Sequence, residues 1–275
     1  MPATIAAIAA RLGVTARRFD IDVLQSCDST NAVLLSRAEA GAASGTVVIA
    51  EEQTAGRGRR GRTWFASPGD SLTFSLLWRF APGTAPAGLS LAVGVAVARA
   101  LQRVPAETHS AGSPCVPGNP LRGQATALKW PNDILREGRK LGGILVELVP
   151  GAPHVAVIGI GINLRLPAAM PADLRTASTA IYAAGEAADE NDLLAALLGE
   201  LLTTLETFAR QGFAAIRPEW LAHHALQDAR VRLSSDFGPP REGLCRGVDS
   251  DGALLLEIDG QVERILSGEV TLRPA

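Results

Sequence analysis

The chain has 275 residues, of which 47% are hydrophobic and 20% charged, so it can bury a core and is not a disordered protein. Its net charge of −2 argues against attachment to nucleic acid by bulk positive charge. The 26 basic residues are unevenly divided, because Lys129 and Lys140 are the only lysines and the other 24 are arginines. High-GC coding explains a preference for arginine, but not why the two lysines lie so close together.

Cysteines, histidines and apolar runs exclude several classes of protein. The three cysteines (Cys27, Cys115 and Cys245) lack the spacing of a disulfide framework or a zinc site. The four histidines have no ligand partners nearby in the sequence, and we interpret them as surface residues. No apolar run approaches the ~20 residues of a membrane-spanning helix, and the N-terminus lacks the positive region of a signal peptide. We therefore expect a cytoplasmic protein without a protein-bound metal or a membrane contact.

Hydrophobic periodicity predicts alternating helices and strands without a regular βαβ order. The N-terminal MPATIAAIAARLG predicts an amphipathic helix, and alternation at Phe19, Ile21 and Val23 predicts a strand. Asp28-Ser29-Thr30 can cap a helix that runs to about Ala40. The next predicted elements are strands at 45–51 and 72–78 and a helix at 86–103. Two strands at 143–149 and 154–161, joined by a Pro-Gly turn, and a long helix at 189–210 follow.

The pattern changes near residue 229, where short strands are separated by Asp251-Gly252 and Asp259-Gly260. These dipeptides are typical of two-residue hairpins and predict a small barrel packed on the main domain. We therefore predict an α+β protein with a mixed β-sheet and flanking helices, divided into domains at 1–227 and 228–275. Residues 104–124 are rich in Pro, Gly and Ser and predict an exposed excursion to which we assign no role.

The segment 53–64, QTAGRGRRGRTW, combines three glycines with four arginines between two strong strands and is not expected to form a regular element. Glycines allow the backbone to approach a ligand, and guanidinium groups match carboxylates and phosphates. The alternatives are a basic nucleic-acid-binding loop or a solvated turn. Anchored ends favour a loop that folds over a bound anion.

Three shorter motifs are ambiguous when they are taken singly. Lys129-Trp130-Pro131-Asn132-Asp133 places a lysine at a strand end, where a point charge can stabilise a developing anion, but it is also an ordinary turn. The sequence GIGIN at 159–163 is not followed by a helix, which excludes a dinucleotide fingerprint. DSTN at 28–31 is more often a helix cap than a binding site.

Together, in this order and spacing, the motifs resemble the biotin–protein ligase family. The resemblance rests on DSTN, EEQTAGRGRRGRTW, KWPNDI, RKLGGILVE and GIGIN, and on RGVDSDGALLLEIDG at 246–260, which is similar to the SH3-like barrel of that family. It implies a catalytic domain similar to class II aminoacyl-tRNA synthetases. It also implies that ATP and biotin, with Mg²⁺ on the ATP phosphates, form biotinoyl-5′-AMP, whose acyl group passes to a lysine of a biotin carboxyl carrier domain.

The resemblance also implies roles for individual residues. Lys129 and Arg59 are the catalytic candidates, with Lys129 bridging the biotin carboxylate and the α-phosphate, and Lys140 lies on a second loop that closes the site. The expected biotin-binding residues are Ser29, Thr30, Asn31, Gln53, Gly56, Arg57, Gly58, Arg59 and Lys129. The expected ATP or adenylate residues are Arg59, Arg62, Asn132, Lys140 and Asn163.

Two other functions compete with this interpretation. A lipoate–protein ligase or octanoyl transferase also uses a strand-end lysine, but the full arginine-glycine loop and the C-terminal barrel favour biotin. A non-enzymatic biotin sensor or DNA-binding regulator would need an added recognition helix, for which there is no room before residue 28, so we expect no DNA binding. The sequence leaves monomer and homodimer equally open, and Tyr182 is an unassigned candidate for adenine stacking.

Overall fold

The structure is a computed structural model that describes residues 3–103, 126–167, 170–182, 189–235, 238–266 and 270–274. The predicted excursion at 104–124, with Cys115 and His109, lies outside these residues. No helix in the described ranges is both long enough and apolar enough to cross a membrane.

A seven-stranded mixed sheet forms the centre of the larger part of the chain. Its strands are β1 (Asp20–Cys27), β2 (Thr46–Gln53), β3 (Ser71–Arg79), β4 (Ala127–Lys129), β5 (Asp133–Arg136), β6 (Arg139–Val149) and β7 (Ala152–Asn163). They lie in the order β1-β2-β3-β7-β6-β5-β4. The pair β1 and β2 is parallel, and the other neighbouring pairs are antiparallel, so the sheet is mixed as predicted.

Helices cover both faces of this sheet because its central strands are apolar on both sides. The helices are α1 (Ile5–Leu12), α2 (Thr30–Glu39), α3 (Leu89–Arg103), α4 (Ala172–Ala177), α5 (Glu190–Gln211) and α6 (Arg217–His223). The larger apolar cluster holds α1, α3 and α5 against Leu76 and Ile158, whereas the smaller one holds α2 against their neighbours Leu77 and Val157. Since neighbouring strand residues face opposite sides, α2 lies on the other face from α3 and α5.

The C-terminal part forms a second, antiparallel sheet of five strands. These are β8 (Arg230–Ser235), β9 (Gly238–Val248), β10 (Leu254–Ile258), β11 (Gln261–Ile265) and β12 (Val270–Pro274), in the order β11-β10-β9-β8-β12. Asp259 and Gly260 form the predicted two-residue hairpin, with φ of 50° and 78°. The α+β class with a small C-terminal β-domain is confirmed, and the boundary at 227–228 stays a prediction.

The turn between β9 and β10 joins the two sheets. Asp251 and Gly252 belong to a longer turn than predicted, in which Asp249 Oδ1 accepts hydrogen bonds from the amides of Asp251 (2.9 Å) and Ala253 (3.0 Å). The Gly252 carbonyl accepts a 3.1 Å hydrogen bond from the indole of Trp130, which is completely buried. Trp130 of the lysine motif therefore anchors the second domain.

The structure corrects two further expectations. His223 and His224 are buried rather than at the surface, and burial lowers the pKa of His224 to about 4. Lys140 lies on strand β6 rather than on a closing loop, because β6 begins four residues earlier than predicted. The arginine-glycine segment forms no strand or α-helix, as expected, although isolated antiparallel bridges join Gln53 to Ala66 and Arg57 to Thr63.

Two of the three cysteines fall within the described ranges, and both carry free thiols. Cys27 is half-buried at the end of β1, whereas Cys245 is buried in β9. Burial raises the pKa of the Cys245 thiol to about 11. That thiol therefore behaves as part of the apolar core rather than as a reactive group.

Candidate active site

A cavity of about 1770 Å³ opens on the α2 face of the main sheet. Its floor is made where β3 and β7 pair, with Thr73 opposite Gly161 and Ser75 opposite Gly159. The intervening residues of β7, Ile158, Ile160 and Ile162, are buried in the larger apolar cluster on the opposite face. The alternation of glycine and isoleucine in GIGIN therefore gives one apolar face and one face without side chains.

Both floor glycines lie in close contact with side chains from other segments. A Cβ atom on Gly159 would lie 2.3 Å from Asn31 Oδ1, and one on Gly161 would lie 2.4 Å from the indole of Trp64. Real Cβ atoms do not approach so closely, so any larger residue at Gly159 or Gly161 would force the Asn31 amide or the Trp64 indole to move. Trp64 Nε1 and Thr73 Oγ1 are buried beside this floor, and neither has a hydrogen-bond partner in the described part of the chain.

A network of polar side chains forms one end of the cavity, which we call the neutral end because its one carboxylate, that of Glu147, is paired with Arg57. Ser75 Oγ lies 2.7 Å from Thr30 Oγ1 and 2.6 Å from Asn31 Oδ1, and all three residues are buried. Gln53 Oε1 accepts hydrogen bonds from the amide of Thr30 (2.7 Å) and from its hydroxyl (3.1 Å). Asn31 Nδ2 donates to Glu147 Oε2 at 2.7 Å. These bonds fix the amide and hydroxyl dipoles before any ligand arrives.

Ser29 occupies the N-cap position of α2, as the sequence predicts, but its hydroxyl makes no capping hydrogen bond. The carboxylate of Asp28 instead accepts a 2.7 Å hydrogen bond from the Ser29 amide. The Ser29 side chain lines the cavity next to the N-terminus of α2. Helix geometry thus directs this hydroxyl towards the cavity without using it to cap the helix.

The arginine-glycine segment folds back on itself as a narrow arm at the side of the cavity. Gly58 donates its amide to the Arg62 carbonyl at 2.7 Å, and Trp64 donates to the Gly56 carbonyl at 2.9 Å. The tip is a turn in which Arg60 and Gly61 have φ of 59° and 67°. The arm presents four arginines near the cavity, and burial lowers the pKa of Arg59.

Both lysines of the chain bind one carboxylate at the other end of the cavity. Asp133 Oδ2 lies 2.9 Å from Lys129 Nζ, and Asp133 Oδ1 lies 2.6 Å from Lys140 Nζ. Burial raises the pKa of Asp133, but the two ammonium groups outweigh burial and hold the pKa below its ordinary value. The strand-end position predicted for Lys129 is confirmed, since β4 ends at this residue.

Asn132 and Asn163 connect strands around the lysines. Asn132 Nδ2 donates to the Ile144 carbonyl at 2.8 Å, and its Oδ1 lies 3.4 Å from Arg59 Nη1. Asn163 Nδ2 donates to the Thr179 carbonyl at 3.0 Å and lies 3.4 Å from the Lys140 carbonyl. In this state both amides organise the backbone around the cavity.

The cavity brings together almost all of the predicted site residues. Those that line it are Ser29, Thr30, Asn31, Gln53, Arg57, Gly58, Arg59, Arg62, Lys129, Asn132, Lys140 and Asn163. Gly56 is not among the lining residues, because it packs between the Trp64 carbonyl and the Gln53 side chain. The functional roles assigned to all of these residues remain predictions.

Sequence reasoning missed two residues that line the cavity, Thr73 and Trp64, and two that hydrogen-bond to its lining, Ser75 and Glu147. Polar side chains at alternate positions of the buried strand β3 are a usable signal, because such residues need partners. Trp64 and Glu147 lay inside recognised motifs without an assigned role. The described residues contain no cluster of three or more His, Cys, Asp or Glu side chains that could hold a metal ion.

We expect Ser75→Ala to weaken ligand binding at the neutral end of the cavity. The Ser75 hydroxyl has one proton, and its removal leaves the buried Asn31 Oδ1 without this donor, which costs about 1–3 kcal/mol, whereas Thr30 Oγ1 keeps its hydrogen bond to Gln53. Ser90→Ala, whose parent hydroxyl donates to the Pro131 carbonyl outside this network, serves as the control. Biotin titration calorimetry should show a weaker affinity for Ser75→Ala alone, and equal affinities would contradict the network's role.

Two known protein families match the chain, one over the main domain and one over the C-terminal strands. Residues 23–163 match the biotin/lipoate A/B protein ligase family, and residues 230–273 match the biotin protein ligase C-terminal domain. The first match covers more than half of the chain and the whole floor of the cavity. The chain belongs to the biotin/lipoate A/B protein ligase family. The second match places this ligase with the members that carry the additional C-terminal domain.

Several named proteins are similar to this ligase. It is 38% identical over 259 residues to the bifunctional ligase/repressor BirA of Escherichia coli strain K12, covering 93% of this chain and 74% of BirA. It is 34% identical to a biotin--[acetyl-CoA-carboxylase] ligase of Mycobacterium tuberculosis, covering 91% and 88% of the two chains. The structure of Aquifex aeolicus biotin protein ligase in complex with biotin and ATP superposes with a TM-score of 0.75 at 27% identity, covering 93% and 99%.

Proposed function

We propose that this chain is an ATP-dependent ligase that activates biotin as biotinoyl-5′-AMP and transfers it to a lysine of a biotin carboxyl carrier domain. The observation that carries this function is a cavity with a neutral hydrogen-bonding end and a cationic end. Biotin has the same polarity, with a neutral ureido ring and an anionic carboxylate. The solved ligases from Aquifex aeolicus and Leishmania major bind biotin with ATP and biotinyl-5-AMP, respectively.

The neutral network is suited to the ureido ring of biotin. That ring offers one carbonyl acceptor and two N–H donors, which match the hydroxyls of Ser29 and Thr30 and the amides of Asn31 and Gln53. The glycine floor, with Gly159 and Gly161, leaves space for a flat bicyclic ring. Gly58 lines the cavity and allows the backbone of the arm to approach the ligand.

The cationic end is suited to the first half-reaction. A carboxylate oxygen of biotin attacks the α-phosphorus of ATP, the bond to the bridging oxygen breaks, and pyrophosphate leaves. Lys129 and Arg59 offset the repulsion between the two anions, and Arg62 meets the departing phosphates. Arg57, which pairs with Glu147, is proposed to lie beside the biotin tail. Asn132, Lys140 and Asn163 are proposed for the nucleotide side, where they border the same cavity.

The second half-reaction needs an amine from outside the chain. The acceptor lysine attacks the acyl carbon of the mixed anhydride, an amide forms, and AMP leaves with the bond electrons. We propose the carrier domain of a biotin-dependent carboxylase as the acceptor, in line with the acetyl-CoA-carboxylase ligase name of the Mycobacterium tuberculosis relative. The arginine arm excludes water and so limits hydrolysis of the anhydride.

Mg²⁺ is proposed as part of the ATP substrate rather than as a resident ion. Glu147 and Asp133 are already paired with Arg57 and with the two lysines, respectively, so neither carboxylate is an open metal ligand. The ion would be held by the triphosphate and would neutralise part of its charge.

Incubation with biotin, Mg-ATP and a biotin carboxyl carrier domain tests the proposed function. We expect the carrier mass to rise by one biotinyl group, and pyrophosphate to exchange into ATP only when biotin is present. Lipoate replaces biotin in a parallel reaction. Exchange with lipoate alone would contradict the biotin assignment, and no exchange with either acid would contradict acid activation.

A further inference from the structure

The two lysines of this chain lie where the proposed function generates a lysine-reactive anhydride. Both line the cavity, with side chains 22% exposed for Lys129 and 39% exposed for Lys140. An amine held beside an activated acyl group reacts far faster than one in free solution, because the encounter has already taken place. Self-acylation would remove the charge of either lysine and block the cavity.

The structure assigns to Asp133 the role of keeping Lys129 and Lys140 from attacking the adenylate, so that only the acceptor's lysine is modified. This inference rests on the proposed function. It adds to that function a residue that determines which lysine attacks the adenylate. Asp133 acts through the lysines and not on the substrate, so it is a positioning residue.

Strand pairing places the carboxylate of Asp133 between the two amines. Asp133 pairs with Lys129 across the β4–β5 hairpin and with Gly143 on β6. Each of its oxygens binds a different ammonium group, at 2.9 Å for Lys129 and 2.6 Å for Lys140. The side chain is 18% exposed, so solvent screens these ion pairs less than it screens pairs at the surface.

The backbone of Lys140 is held by its own hydrogen bonds, so the position of its amine depends on the ion pair with Asp133. The Lys140 carbonyl accepts a 2.8 Å hydrogen bond from the Thr179 amide and lies 3.4 Å from Asn163 Nδ2. The main chain is therefore fixed, and only side-chain rotation can bring Nζ to a ligand. The ion pair with Asp133 opposes that rotation.

The chemistry of acyl transfer requires a free lone pair. An amine attacks the acyl carbon after it has lost its proton; the amide bond then forms as the bond between acyl carbon and phosphate oxygen breaks, and AMP leaves. Each of the two amines must first leave its ion pair with Asp133 before it can reach the acyl carbon. Asp133 is also a poor acceptor for the proton, since the two cations lower its pKa.

The sequence provides an independent observation. Arginine takes 24 of the 26 basic positions, and guanidinium groups do not act as acyl acceptors at neutral pH. The chain's two side-chain amines, Lys129 and Lys140, are the two that contact Asp133. Because the other basic residues are arginines and Asp133 holds both lysines, few amines of the enzyme can compete with the lysine of the acceptor.

Synthetic biotinoyl-5′-AMP, supplied without ATP or acceptor, tests this role directly, because it bypasses adenylation. We expect Asp133→Asn to gain a biotinyl group on Lys140 or Lys129 at least about tenfold faster than the unmodified chain, as mapped by peptide mass spectrometry. Asp133→Glu, which restores a carboxylate, should remain near the unmodified rate. Asp133→Asn combined with Lys140→Arg should lose any label assigned to Lys140.

A second reagent separates this inference from the proposed function. A small N-hydroxysuccinimide acetate ester needs no binding site, and we expect Asp133→Asn to raise its reaction rate with Lys140, again by about tenfold. Unchanged rates with this ester would overturn the role of Asp133. Faster ester labelling with no adenylate labelling in any variant would support the ion-pair effect and contradict the proposed substrate.

Discussion

Replacement of Lys129 by alanine is expected to abolish most adenylate formation while biotin binding falls much less. The ammonium ends β4 at the cationic end of the cavity, where negative charge accumulates as carboxylate and phosphate approach. Loss of one preorganised charge at such a position costs about 3–4 kcal/mol, or roughly 10²- to 10³-fold in rate. Biotin-dependent pyrophosphate exchange measures the rate, and calorimetric titration measures biotin binding.

Lys129→Arg provides the matched control for charge. A guanidinium keeps the positive charge but is planar and larger, so it cannot take the place of a compact ammonium. We expect an intermediate exchange rate, because part of the electrostatic stabilisation survives. Exchange by Lys129→Ala at the rate of the unmodified chain would remove Lys129 from the mechanism, and an equal loss of biotin binding and rate would assign it to ground-state binding alone.

Replacement of Gly159 by alanine is expected to destroy the neutral end of the cavity. The new methyl group would lie 2.3 Å from Asn31 Oδ1 and 3.2 Å from Asn31 Nδ2, so the amide must move. Movement breaks its hydrogen bonds with Ser75 and Glu147. Overpacking of this kind costs about 1–3 kcal/mol, which corresponds to roughly 5- to 150-fold weaker biotin binding if the strain falls on the site.

Gly199→Ala separates this steric effect from the general effect of adding a methyl group. Gly199 lies in α5, and within the described part of the chain no neighbouring side chain or strand comes within 4 Å of the point that a Cβ would occupy. Alanine there should therefore be neutral or stabilise the helix by up to about 1 kcal/mol. Calorimetric biotin titration and thermal unfolding should be measured on both variants. Unchanged biotin affinity in Gly159→Ala would show that the ligand does not depend on the Asn31 network.

The sequence was most informative where a motif combined a spacing with a chemical requirement. Lys129 lies at the end of a strand as predicted, and the glycines of GIGIN lie at the cavity because alternation leaves one face of β7 bare. The sequence was least informative where the position of a residue depends on where a strand begins. The start of β6 at Arg139 places Lys140 on a strand, which the glycines at 142 and 143 gave no reason to expect.

The prediction and the structure also differ in the burial of two histidines. His223 and His224 are polar residues at the end of a short helix, α6, that the periodicity did not predict, and they were assigned to the surface. In the fold His224 stacks against Trp220 with ring centroids 4.5 Å apart and becomes part of the core. Such contacts depend on which segments meet in space, and a single sequence does not contain that information.

The sequence by itself determined the fold class, the order of most elements and the residue types of the cavity, because these follow from hydrophobic periodicity and from motifs with few alternatives. Only the tertiary structure decided which of those residues share a hydrogen bond or a charge. Asp133 is four residues from Lys129 and seven from Lys140, yet strand pairing brings both amines to one carboxylate. The unusual scarcity of lysine is a property of the sequence, whereas the contact that restrains the two lysines exists only in the folded chain.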